Sequence, residues 1–196
     1  MSIIEKAEAM AKAWLPKQKL LSKKHLPNGW LSHERKETFL LQGFALAKIP
    51  LIAFLAPKVL RLDEDVVEIM IPLNYRSKNH LGSMYFGALA TGADLALGYM
   101  AFREFQKRGL NIQLVFKSLQ AEFLKRAEAD VTFRFTEGAA LHEQIAECLL
   151  KSERVTRAYD IFALTPSLSG DEPVAKFRLE LSLKNRGQNR DRSRDK

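Results

Sequence analysis

The chain has 196 residues, 46% of them hydrophobic, which suits one domain with a sizeable core. A single cysteine, Cys148, excludes an internal disulfide and a cysteine-based zinc cluster and fits a reducing, cytoplasmic setting. The formal net charge of +8 does not choose among an anionic cofactor, anionic lipid and RNA, and residues 185–196 alone carry a net +3 of it.

The chain opens on "MSIIEKAEAMAKAWL", where charged residues interrupt any signal-peptide core and apolar residues fall at helical spacing, so a helix is expected over about 2 to 15. "PNGW" makes a turn, and Ser32 is the N-cap of a second helix. The apolar run "FLLQGFALAKIPLIAFLA", residues 39 to 56, is divided by Gln42, Lys48 and Pro50, so a buried or substrate-covering helix is expected there and no transmembrane segment. From residue 58 the pattern turns to strands. "KVLRLDEDVVEIMIPL" holds two short runs around Asp63, Glu64 and Asp65, a hairpin or bend.

"GSMYFGALATGADLALGYM" is rich in glycine and alanine yet helical in spacing over about 84 to 103, with Asp94 in its middle. Interior glycine costs roughly 1 kcal/mol relative to alanine. Close packing of a curved sheet on the helix backbone offsets that cost, and packing for stability alone explains the small residues equally well.

Beyond it lie "NIQLVFKSLQAEFLKR" and "ADVTFRF", the latter with Val131, Phe133 and Phe135 toward a core and Thr132 and Arg134 toward water. "ALHEQIAECLLK" is a short amphipathic helix on Leu141, Ile145 and Leu149. "RVTRAYDIFAL" and "PVAKFRLELSLK" are strands joined by a "SLSGDE" turn. The last residues, "NRGQNRDRSRDK", contain nothing apolar and read as a disordered basic tail. Tight turns between strands make the sheet antiparallel, with one face to be covered by the long helix.

This order of elements, with Asn79, Gly82, Gly87 and Asp94, resembles the hotdog fold, an α+β architecture in which a strongly bent antiparallel sheet wraps a central helix. Acyl-CoA thioesterases of the phenylacetate-pathway type carry Asn-x-x-Gly-x-x-His-Gly-Gly before an Asp seven residues on. Here the Asn, the first and last Gly and the Asp are in register, whereas Tyr85 stands at the His and Phe86 at the middle Gly. "GSMYFGAL" is similar to a thioesterase-like branch labelled a domain of unknown function. The resemblance implies a helical extension over 1–57, a hotdog domain over 58–184 and the tail beyond.

It also implies chemistry. Hydrolysis of a fatty or aryl acyl thioester needs a base or nucleophile and donors for the developing oxyanion. Asp94 would be the former, the Gly87 N–H at the helix start the latter, and Asn79 would orient water or the thioester. Gly82, Tyr85, Phe86, His80 and Thr91 are candidate substrate-binding residues. Asp94 and Gly87 stand about 10 Å apart along one helix, so a homodimer, with a dimer of dimers left open, would bring one copy's Asp to the other's Gly. No cofactor is expected beyond coenzyme A within the substrate.

Alternatives remain open at each position. Asp94 also reads as a solvated or salt-bridged residue, Asn79 as a turn residue, and Tyr85 and Phe86 as core or pocket lining. The last two favour a non-catalytic acyl-CoA or fatty-acid binder. His80 precedes Asp94 by fourteen positions, a dehydratase spacing, but that family's loop prolines are missing. "GSMYFG" lacks the Lys and Ser or Thr of a phosphate loop, and His25, His33, His80 and His142 show no metal-ligand spacing. Lys117, Lys125 and Arg126 suit coenzyme A phosphates or a charged strand edge. Nucleic acid is not the expected partner.

Overall fold

The computed structural model describes residues 32–187. The helix expected near 2 to 15, the "PNGW" turn and the tail from residue 188 onward lie outside the described residues.

Helix α1 spans His33–Lys48, and its first turn is capped by the Ser32 side chain, which accepts from the Arg35 N–H at 3.4 Å. Pro50 then occupies the first turn of α2, Pro50–Leu55, where its missing N–H leaves no helical bond unmade. The apolar run over 39 to 56 is thus split between two helices, and no described helix is long and apolar enough to cross a membrane.

Strands β1 (Lys58–Leu62) and β2 (Val67–Ile71) form the expected antiparallel hairpin. Its turn is held by Asp63, whose Oδ1 accepts from the N–H groups of Asp65 and Val66 at 3.0 and 2.8 Å. The long helix, α3, covers Phe86–Arg108 and so runs beyond the expected end at 103. Gly109 closes it in the left-handed region at φ 64°, donating to Gln106 and Phe105, while Lys107 and Arg108 complement the C-terminal dipole.

Four strands follow: β3 (Ile112–Phe123), β4 (Val131–Phe135), β5 (Val155–Leu164) and β6 (Pro173–Asn185), with α4 (Gly138–Leu150) between β4 and β5. The connection between β5 and β6 contains a short helix, α5 (Pro166–Ser169), where a simple turn was expected. Pro166 initiates it and Gly170, at φ 58°, ends it.

All pairings are antiparallel in one open sheet of order β1-β2-β4-β5-β6-β3. On β4, Val131, Phe133 and Phe135 are fully buried. Thr132, expected to face water, is buried too, because its cross-strand partners Met70 and Leu164 flank it on the outer face. On β6, Ala175, Phe177, Leu179, Leu181 and Leu183 all point into the core.

The core lies between this inner face and α3. Gly92 marks the closest approach, since a Cβ there would lie 2.2 Å from the Phe133 ring. Gly98, on another side of the helix, has room: a Cβ would sit 3.7 Å from Asp94 Oδ1 and 3.8 Å from Phe116. Sheet approach therefore explains Gly92 and not every glycine of the segment.

These two glycines make opposite predictions. Gly92→Ala is expected to destabilise by about 1–3 kcal/mol through overpacking, whereas Gly98→Ala is expected to stabilise by about 0.5–1 kcal/mol through helix propensity. Urea unfolding of both variants beside the wild type checks the pair.

Candidate active site

Along α3 the residues Gly87, Thr91, Asp94, Gly98, Phe102 and Phe105 recur at helical spacing and form one stripe. At Asp94 the stripe opens into a cavity of about 220 Å³. Its walls are Phe44 from α1, Ile52 from α2, Leu95, Phe102 and Phe105 from α3, and Leu114 and Phe116 from β3. Asp94 is the charged side chain among these described lining residues.

No donor among the described residues reaches the Asp94 carboxylate, and burial alone pushes its pKa up from 3.8 to about 6. A group held so is ionised at neutral pH yet more basic than an ordinary carboxylate.

The cavity's cover is bolted down by polar contacts. Glu37 of α1 is 3% exposed; its carboxylate accepts from the Tyr99 hydroxyl at 2.8 Å and from Arg103 Nη2 at 2.7 Å. Burial and the adjacent Glu37 charge raise the Tyr99 pKa, so its proton stays in place. Thr38 accepts from the Val59 N–H at 2.9 Å, and Gln42 donates to the Pro57 carbonyl at 2.8 Å. These bonds tie α1 to α3 and to the β1 edge of the sheet.

At the other end of the stripe, Tyr85 is the N-cap of α3 and offers no side-chain cap. Ala88 and Leu89 donate to the Tyr85 carbonyl, whereas the N–H groups of Phe86 and Gly87 have no acceptor among the described residues. Two donors at a positive dipole end are therefore free for an anion or carbonyl oxygen. The exposed rings of Tyr85 and Phe86 pack together with centroids 4.6 Å apart, and the Tyr85 ring lies 2.5 Å from where a Gly87 Cβ would project.

Asn79 is committed locally. Its side-chain oxygen accepts from the Leu81 N–H at 2.9 Å and its amide donates to Ser83 Oγ at 3.1 Å. Gly82, at φ 84°, completes that turn in a conformation other residues rarely adopt. His80 is exposed on the same loop, and the Thr91 hydroxyl donates back to the Gly87 carbonyl at 2.8 Å. Within one chain, then, Gly87, Thr91 and Asp94 share a helix face, while Asn79, His80, Gly82, Tyr85 and Phe86 stand apart from the Asp94 cavity.

Lys125 pairs with Glu172 at 2.5 Å and Arg126 with Glu128 at 4.0 Å, while Lys117 is exposed at a bulge in β3. Among the described residues, no group of three or more His, Cys, Asp or Glu side chains is arranged to hold a metal ion.

Sequence reasoning read residues 39 to 56 as a buried or substrate-covering helix but singled out no residue of the cavity wall. The signal was present on α3, because Gly98, Phe102 and Phe105 continue the spacing of Asp94, but nothing local marks Phe44 or Ile52 as their partners.

A six-stranded antiparallel sheet packed on one long helix is the architecture of the hotdog fold. Residues 38–158 match the domain of unknown function DUF4442, and the chain belongs to that family.

Solved structures agree on the fold. A Chlorobaculum tepidum protein of unknown function aligns with TM-score 0.67 at 13% identity, covering 78% of this chain and 96% of its own. A Pseudomonas aeruginosa protein described as a probable thioesterase aligns with TM-score 0.62 at 20% identity, covering 76% and 95%. A Haemophilus influenzae thioesterase aligns with TM-score 0.56 at 18% identity, covering 74% and 90%. At such identities the likeness is one of fold. No curated protein matches the sequence.

The Asp94 pKa carries a sign for stability. The folded state holds this proton more tightly than the unfolded chain, so the group favours folding below about pH 3.8 and that contribution is lost as the pH climbs through about 6. Asp94→Asn removes the penalty of an ionised, partly buried group. It is expected to be more stable than wild type at pH 8 by on the order of 2 kcal/mol, with the difference vanishing toward pH 4, as read from denaturant midpoints across pH.

Proposed function

We propose that the protein hydrolyses an acyl thioester, such as a fatty or aryl acyl-CoA, with Asp94 as the general base. The observation that carries this reading is the Asp94 carboxylate, without a donor among the described residues and raised to about 6 by burial, in the lining of a largely apolar cavity. Asp94 takes a proton from water as the water oxygen bonds to the thioester carbon. The carbon–sulfur bond then breaks, and the departing thiolate receives that proton.

The oxyanion formed in between needs donors, which the free N–H groups at the start of α3 supply. Gly87 lies about two turns from Asp94 on the same helix, so the donors come from a second copy of the chain. The sheet supports such pairing. At its β1 edge the Val59 N–H is bonded to Thr38 of α1, whereas β3 at the opposite end leaves Leu119 and Phe123 43% and 53% exposed. We infer a homodimer in which each site draws on both copies, in a cytoplasmic setting consistent with the free Cys148.

A second reading has its own support. The Tyr85 ring lies against Gly87, and with Phe86 it crowds the donors that hydrolysis requires. A protein that binds acyl groups without cleaving them would have the same cavity.

Hydrolysis of acyl-CoA substrates by wild type and Asp94→Asn separates the two. The hydrolase reading predicts a loss of at least a hundredfold in kcat/KM for Asp94→Asn, and a wild-type kcat/KM that rises with pH through an inflection near 6. Equal turnover by the two proteins would overturn Asp94 as the base, and no turnover by wild type while acyl ligands bind would establish the binder.

A further inference from the structure

The cavity beside Asp94 has a finite capacity, set by residues that the hydrolytic step does not use. One helical turn beyond Asp94, the missing side chain of Gly98 leaves space bounded by Asp94 Oδ1 and the Phe116 ring. Further along the same stripe, Phe102 and Phe105 refill it, about 12 and 16 Å from Asp94 along the helix axis.

The Phe102 ring also packs on Phe44 of α1, with centroids 4.4 Å apart. Because Glu37 is locked to Tyr99 and Arg103, α1 cannot lift away without breaking a buried, charge-assisted network. The Phe44–Phe102 pair is thus a fixed wall. The lining between that wall and Asp94 is apolar apart from Tyr99, whose hydroxyl is bonded to Glu37, and this suits hydrocarbon and rejects a polar chain. A cavity of roughly 150 Å³ holds a six-carbon ring, so one of about 220 Å³ holds about eight or nine carbons.

We propose that this cavity is a chain-length gauge for a medium-chain acyl group of about eight carbons. The acyl carbonyl sits at Asp94, the tail passes Gly98 and ends against Phe44 and Phe102, and Gly98 determines the specificity by leaving the room the tail occupies. The thioester head rests on the hydrolase reading above; the length selection does not depend on turnover.

The test measures binding and hydrolysis separately. Straight-chain primary alcohols from butanol to tetradecanol are neutral, so they avoid repulsion by Asp94. Their ability to displace 1-anilinonaphthalene-8-sulfonate is measured on wild type, Gly98→Leu and Phe102→Ala. Wild type is expected to bind octanol or decanol tightest. Gly98→Leu should weaken octanol at least tenfold and move the optimum to butanol or hexanol; its Cβ meets nothing closer than 3.7 Å, so the helix backbone accommodates it. Phe102→Ala should move the optimum to longer chains.

An unchanged length profile in folded Gly98→Leu, or tetradecanol as the tightest wild-type ligand, overturns the proposal. Should Gly98→Leu fail to fold, Gly98→Ala and Phe102→Ala decide by the same shifts. Acyl-CoA hydrolysis on these proteins keeps the two readings distinct. A shifted binding profile without turnover upholds the gauge and removes the hydrolase, whereas turnover dependent on Asp94 with no shift removes the gauge alone.

Discussion

The contact between the Phe133 ring and the backbone of α3 at Gly92 sets the depth at which the helix lies in the sheet. Any larger side chain there would have to displace a fully buried aromatic ring on β4, next to β2 and β5. Ala93 and Ala96, both fully buried, keep neighbouring parts of the helix surface equally small. With α3 seated so deeply, its other side is left recessed between α1, α2 and β3. That recess is the cavity, and Asp94 lines it because it falls on that side of the helix.

An uncompensated carboxylate in such a place is a liability for folding at neutral pH, since nothing described here donates to it. The buried carboxylate of Glu37, by contrast, receives hydrogen bonds from both Tyr99 and Arg103. The chain therefore treats two acidic groups near the same helix in opposite ways. Glu37 is satisfied and holds the cover in place, while Asp94 is left unsatisfied and basic. Local rules broken without a structural gain concentrate at functional sites, and this contrast is why we propose Asp94 for the chemistry.

Much of the scaffold was legible in the sequence because it rests on short-range periodicity. Alternation on β6, the Asp63 turn, the Ser32 cap and the glycine-rich helix each show their cause within a few residues. The end of α3 was misjudged although Gly109 marks it, and the burial of Thr132 depends on neighbours that only strand pairing brings together. The site was legible only in part. Asp94 stands out in an apolar helix, but the wall facing it comes from Phe44 and Ile52, which are distant in sequence and have no pattern that ties them to α3. Composition groups Gly98 with the other small residues of the helix, and only the fold shows that it lines the cavity between Asp94 and Phe116.

The account depends most on the state of one carboxyl group. Carbon-13 NMR of aspartate-labelled protein, with the Asp94 resonance assigned through Asp94→Asn, reads its titration directly. The account predicts a midpoint near pH 6. A midpoint at the ordinary aspartate value near 4 would mean that water or a hidden donor satisfies the group, and would contradict an apolar site built around a waiting base.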